Sequence, residues 1–406
     1  MPRLAPSALL PAALALVLGA AGEVRGTVVA DEHHPGIVLG AERPAGDGPA
    51  VQIEAGWMVP YDETIPGSDV TFRMIPVPGG TFRMGSPADE AGRSADEGPE
   101  FEVELRPFWI GRCEVTWAEY KTFMAACDLF KACEAAGLRP VTADNEADAV
   151  TAPSNLYDPS TTFTNGEDPE LPAVTMTQYA ARQYTKWISK LANRFYRLPT
   201  ESEWEYACRA GGRTPWSSGT DAAALAAAAW FADNADDTTH AVGGKQPNAW
   251  GLHDMHGNVA EWVLDQLVEG GYARQAGLPQ PVAAAAAAVW PTKLSPRIVR
   301  GGAYYDEADR LRSAARRGSE DIPWKDVDPN LPKSPWWYTE EPALGVGMRL
   351  VRPSVTPPPE EQARWWDPDT EGIAADAADR LQQGRGARGI VDPGLPAEAK
   401  QAGIVE

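Results

Sequence analysis

The stretch VTFRMIPVPGGTFRMGS, residues 70–86, sets two apolar runs of strand length on either side of a Pro-Gly-Gly break. The same punctuation continues through the chain, where 38 glycines and 37 prolines are spread over 406 residues. Proline withholds an amide donor from helices and ladders, and glycine favours turns, so regular elements are held short and a helical bundle is excluded. Fifteen tryptophans accompany the breaks, large rigid side chains suited to pinning irregular segments. The expectation is a loop-rich α+β fold.

Local patterns place its elements. Residues 70–86 read as a β-hairpin, and FEVELRPFWIGRCEVT, 101–116, alternates like paired strands. Three Thr-x-x-Glu/Gln sets, Thr116–Glu119, Thr175–Gln178 and Thr200–Glu203, match the capping box that opens a helix. In the second helix Ala180, Tyr184, Trp187, Ile188 and Leu191 recur at helical period and read as core packing. The glutamates of ESEWEYA, 201–207, resemble an acid/base pair, but capping and the helix dipole account for them.

The formal net charge of −21 argues against nucleic acid as a partner, because no basic face is available to neutralise phosphates. Residues 1–22 combine one arginine, an apolar run and small residues, which reads as a signal for export to the periplasm or the extracellular space. The run is too short for a stable membrane span. Export suggests that the four cysteines pair, with Cys127–Cys133 and Cys113–Cys208 as the expected bridges. The expected organisation is a signal at 1–22, a leader at 23–69 with an edge strand, one domain at 70–353, and a polar extension at 354–406 outside the core.

Seven motifs occur in order: VPGGTFRMGS (77–86), EVTWAEY (114–120), LPAVTMTQYAARQYTKW (171–187), RLPTESEWEYACRAG (197–211), NAWGLHDMHGNVAEW (248–262), RIVRGGAY (297–304) and GVGMRLVR (345–352). Together they resemble the sulfatase-modifying-factor family, the group that contains the formylglycine-generating enzyme. The resemblance implies the formylglycine-generating-enzyme fold, a variant of the C-type-lectin-like fold with many loops. It also implies oxidation of a substrate cysteine by oxygen at a copper ion held by two cysteines, placed just after the Arg-Gly-Gly motif. Two soft thiolates suit Cu(I). Here that stretch reads AYYDEADRLRSAARR; Asp306 and Ala308 stand about where the thiols belong and Ser313 replaces a further candidate, so copper is not expected.

Several residues remain as candidates for binding. Trp262 and Tyr304 lie in the HGNVAEW and RIVRGGAY motifs beside Asp306. Arg300, Arg312 and Arg316 are expected to bond carboxylates and loop carbonyls, with anion binding as the alternative. Trp336 and Trp337, in a Trp-rich loop at 324–342, are expected either to stack on a carbohydrate or peptide ligand or to hold the loop down. The resemblance implies structural calcium at Asn258 and Glu261, and Asn234 is a candidate for a second site; hard oxygen donors suit that ion. His253 and His256 with a carboxylate form an alternative metal set. Two functions follow from these readings: a non-catalytic binding or scaffolding protein, or a metal-dependent oxidase working without cysteine chemistry.

Overall fold

A computed structural model of the chain describes residues 35–46, 48–156, 159–325 and 334–405. The expected export signal at 1–22 and residues 326–333 of the Trp-rich loop lie outside the described residues. Among them, no helix is long and apolar enough to cross a membrane. After a small three-stranded sheet of residues 37–39, 51–53 and 56–58, the strands are β1 (Tyr61–Thr64), β2 (Thr71–Val77), β3 (Gly80–Met84), β4 (Phe101–Leu105) and β5 (Phe108–Gly111). The expected hairpin does not form: β2 pairs with β1 and β5, whereas β3 pairs with β4. Between β2 and β3 the chain runs close against the corner before β5, where a Cβ on Gly79 would lie 2.8 Å from Pro107 Cδ. Alternation in β4 holds, with Phe101, Val103 and Leu105 buried.

Helix α1 (Trp117–Ala135) opens on the expected capping box, in which Thr116 Oγ1 accepts from the Glu119 amide and Glu119 Oε1 accepts from the Thr116 amide. After β6 (Val150–Pro153), helix α2 (Gln178–Ala192) starts two residues later than the second box predicts. Thr177 is its cap, bonding the Ala180 amide, and Thr175 takes a left-handed backbone with φ of 68°. Gln178 is thereby freed to accept from Arg297 and donate to the Val263 carbonyl. Helix α3 (Glu201–Arg209) carries its predicted box on Thr200 and Glu203.

A second sheet follows, of β7 (Ala260–Gln266), β8 (Arg297–Arg300), β9 (Arg316–Gly318) and β10 (Val346–Gly347), in the order β9-β8-β7-β10. Strand β11 (Val351–Pro353) returns to β5 and completes the first sheet, β11-β5-β2-β1. The main core lies between α1, α2 and β7, where Tyr120, Phe123, Tyr184, Trp187 and Trp262 pack together. The α+β class expected from the sequence is the architecture observed.

Both ends of the described chain join that core. Residues expected as a leader supply β1 and the buried Met58, Tyr61 and Ile65. The expected external extension docks instead, through α4 (Pro359–Trp366), α5 (Glu371–Gln382), β12 (Gly386–Gly389) and α6 (Leu395–Gln401). Strand β12 pairs with β6, and Trp366 donates its indole N–H to the Tyr196 carbonyl. This segment takes up the donors of Arg182, Gln183 and Lys186 on the polar side of α2. Arg182 donates to the Arg364 and Trp365 carbonyls and to Asp369, Gln183 to the Trp366 carbonyl, and Lys186 to Asp367.

Asp369 also receives both Nη atoms of Arg297 at 2.7 Å. Burial alone would raise its carboxyl; the bonds from Arg297 and the charges of Arg182 and Arg297 outweigh that and hold it below the usual range. Asp369→Ala leaves two buried guanidiniums without their anion and is expected to cost on the order of 3 kcal/mol near neutral pH. The depressed carboxyl contributes above its unfolded value of about 3.9, and its contribution fades as pH falls through the folded value. Urea unfolding of wild type and variant at about pH 7 and about pH 2 checks this, and an equal gap at both would contradict it.

Candidate functional site

The Arg-Gly-Gly segment ends β8 and brings Arg300 over α3. Its Nη1 meets Glu201 Oε1 at 2.6 Å, and its Nη2 meets Glu205 Oε2 at 2.7 Å and the Ser313 carbonyl at 2.5 Å. Arg316 grips the same Glu201 through Nε and Nη2 at 2.7 and 2.8 Å. Arg312 bonds Glu90, Glu97 and the Gly92 carbonyl. Burial would raise the Glu201 carboxyl, but the charges of Arg316 and Arg300 prevail and hold it below the ordinary range. All three arginines are buried and turned onto carboxylates and loop carbonyls, leaving no shared face toward an anion from solvent.

The segment after Gly302 is packed by its own side chains. The Ala303 amide donates to Asp306 Oδ2, Tyr305 donates its hydroxyl to the Pro342 carbonyl at 2.6 Å, and Arg317 reaches Asp306 at 3.4 Å. Tyr304 is buried, and the Ala308 carbonyl accepts from Trp216 Nε1. The cavity bordered by Gly301, Gly302, Asp306, Arg310 and Arg316 measures about 20 Å³, room for one water. With Asp306 and Ala308 in place of thiols, the residues present do not fit a copper ion held by two cysteines.

The cysteines lie elsewhere and all four are free. The expected bridge between Cys127 and Cys133 fails because both sit on α1, six residues apart, a rise of roughly 9 Å that no disulfide spans. Cys208 faces Ser313 Oγ at 3.5 Å and His256 Nε2 at 3.6 Å, and burial pushes its thiol up to about 12. Cys113 sits beside Gly243, so the second expected bridge is not formed either.

Neither histidine offers a lone pair to a metal. His253 donates from Nδ1 to the Lys245 carbonyl and accepts at Nε2 from Arg112. His256 donates from Nδ1 to the Leu311 carbonyl and accepts at Nε2 from the Ser217 amide and hydroxyl. Burial drives His256 down to about 4, so it stays neutral at physiological pH.

The oxygens named for calcium are also engaged. Glu261 lies in a buried pair with Arg349 and accepts from Trp204 Nε1 at 2.8 Å. Asn258 accepts from the His240 amide and donates to Glu114, and Asn234 closes a turn on the Phe231 amide and the Ala229 carbonyl. At both expected sites the side-chain oxygens are already taken by protein donors, so they do not fit a calcium shell. Among the described residues, no group of three His, Cys, Asp or Glu side chains is placed to hold a metal ion.

The aromatic candidates are core. Trp262 donates to the Met176 carbonyl, while Trp336 and Trp337 are 2% and 6% exposed, with Trp337 edge-on to Tyr120 at 5.7 Å. A stacking platform needs an open ring face; these rings hold the loop down. What sequence reasoning missed is a cleft of about 500 Å³ between β2, the β5–α1 link and residues 169–170 and 242–243, into which half-buried Cys113 opens. Its only sequence signal was the EVTWAEY motif, read for capping and for the family resemblance.

The family model described as the sulfatase-modifying factor enzyme 1-like domain matches residues 65–326. The chain belongs to this family. The formylglycine-generating enzyme of Thermomonospora curvata is 30% identical over 239 residues, 51% of this chain and 77% of that protein. That of Streptomyces coelicolor is 30% identical over 273 residues, 60% and 82% of the two chains. The inactive C-alpha-formylglycine-generating enzyme 2 of Bos taurus is 30% identical over 229 residues, 49% and 73% of the two. Among solved structures, PvdO from Pseudomonas aeruginosa aligns over 72% of this chain and all of its own at 26% identity, with a TM-score of 0.49. Within the sulfatase-modifying factor family, this member keeps the Arg-Gly-Gly frame and carries no thiol after it.

Unreduced, denatured protein is expected to yield four thiols per chain with Ellman's reagent. Two thiols would mean that a bridge exists which this arrangement forbids.

Proposed function

We propose that this family member is an exported protein that acts by binding rather than by forming formylglycine. The observation that carries the reading is the segment 303–308, where Tyr305, Asp306 and Ala308 make packing and hydrogen-bond contacts and no sulfur is present. The buried arginines below it tie β8 and β9 to α3 through Glu201 and Glu205. The residue pattern at 1–22 supports export, and a relative named as inactive at 30% identity makes a non-catalytic member reasonable. A metal-dependent oxidase is less well supported, because both ring nitrogens of His253 and of His256 are taken by protein partners.

The test is incubation of the protein with a peptide bearing the Cys-x-Pro-x-Arg pattern, copper and oxygen, followed by mass spectrometry. The peptide is expected to keep its thiol while a catalytic family member oxidises it in parallel. Conversion of the cysteine to an aldehyde would overturn the binding reading. A Cu(I) chelator competition is expected to show no tight stoichiometric site.

A further inference from the structure

A separate open cleft, of about 530 Å³, lies between strand 51–53 of the small sheet and the corners beside β2 and β5. Four prolines, Pro49, Pro76, Pro78 and Pro107, and the half-buried Trp250 form its apolar wall. Proline rings hold their shape, so this wall is set before a ligand arrives and little entropy is lost on binding. Trp250 is fixed by edge-on packing against Tyr206 at 4.9 Å and by its amide, which donates to Asn248 Oδ1 at 3.0 Å.

The polar groups of this cleft lack partners. Arg43 is the one charged residue bordering it among the described residues, and no acid does. Arg300, Arg312 and Arg316 are each locked onto carboxylates. Arg43 is exposed and makes no ion pair among the described residues; its guanidinium reaches only the Gly48 carbonyl, at 3.5 Å. The side-chain amide of Gln52 and the indole N–H of Trp250 likewise make no hydrogen bond among the described residues. Strand 51–53 is the outer strand of its sheet, so the backbone groups on its open side belong to no ladder.

We propose that this cleft binds a small organic acid, a single carboxylate carried on a flat apolar body such as an aromatic ring system. The carboxylate would face Arg43, whose planar guanidinium matches two carboxylate oxygens, with the Gln52 amide beside it. The ring system would lie on the prolines and Trp250. A cleft of this volume suits a molecule of that size. A metal ion finds no carboxylate in the wall, and a cationic ligand would meet Arg43 unopposed. The net charge of −21 works against multiply charged anions, which favours one carboxylate over a phosphate dianion. The inference stands apart from the proposed function, since none of these residues belongs to the segment after Gly302.

In the full-length protein, isothermal titration and saturation-transfer NMR are run with naphthoate, the matched uncharged naphthamide, naphthyl phosphate and acetate. Saturable binding of naphthoate is expected, with each of the other three weaker by about fivefold or more. Arg43→Gln is expected to weaken naphthoate about fivefold, the scale of one exposed charge pair, and Trp250→Ala roughly tenfold. Arg43 is exposed, so its variant decides the matter if Trp250→Ala fails to fold. No binding of naphthoate, equal binding of any of the three comparison compounds, or unchanged affinity in folded Arg43→Gln would each overturn the proposal.

Discussion

Glu201 is the point on which the loops of this protein converge. Its carboxylate receives Arg300 from the end of β8 and Arg316 from the start of β9, and Tyr272 adds a hydroxyl at 3.2 Å. One turn along α3, Glu205 takes Arg300 and Arg209 together with the Gly85 amide. In a chain this rich in glycine and proline, few loops can be fixed by regular ladders. A planar guanidinium with five donors bonds two carboxylates and a carbonyl at once, so a few arginines replace many backbone bonds. Buried ions add little net stability, but removing one partner strands the other, which makes the arrangement all-or-none.

That dependence separates the frame from the chemistry. None of the bonds to Glu201, Glu205 or Glu261 involves sulfur, and the segment that follows Gly302 is held by Asp306, Tyr305 and Arg317. The architecture after the Arg-Gly-Gly turn therefore does not depend on thiols. The stability of the fold gives no information about catalysis; the residues after the Arg-Gly-Gly turn do.

Much of the fold was legible because its signals are local. Thr116 and Thr200 cap helices where their glutamates stand three residues on, and the stripe from Ala180 to Leu191 is buried as its period requires. Most of the failures turn on partners distant in the chain. Nothing local tells that β2 and β3 enter different sheets, that Thr177 rather than Thr175 caps α2, or that cysteines six apart share a helix. Trp336 and Trp337 looked available because a long Trp-rich loop reads the same whether its rings point out or in. The cleft at Cys113 was invisible for a related reason: its walls come from five stretches of chain, and the unpartnered oxygen of Glu114 exists only once Asn258 and Asp254 are folded beside it.

The C-terminal segment shows how far this dependence on distant partners reaches. Helix α2 is amphipathic by sequence, with Arg182, Gln183 and Lys186 on the side away from the core stripe, and a polar face of that kind ordinarily meets water. Here it meets residues 364–369, which provide carbonyls and carboxylates in place of water. Arg297, rooted in β8, is drawn to the same Asp369. The polar side of one helix and the start of a central strand thus share an anion supplied from beyond the matched family domain. A chain ending at residue 353 would leave both guanidiniums facing a gap, so in this protein the segment after residue 353 belongs to the fold and not to its periphery.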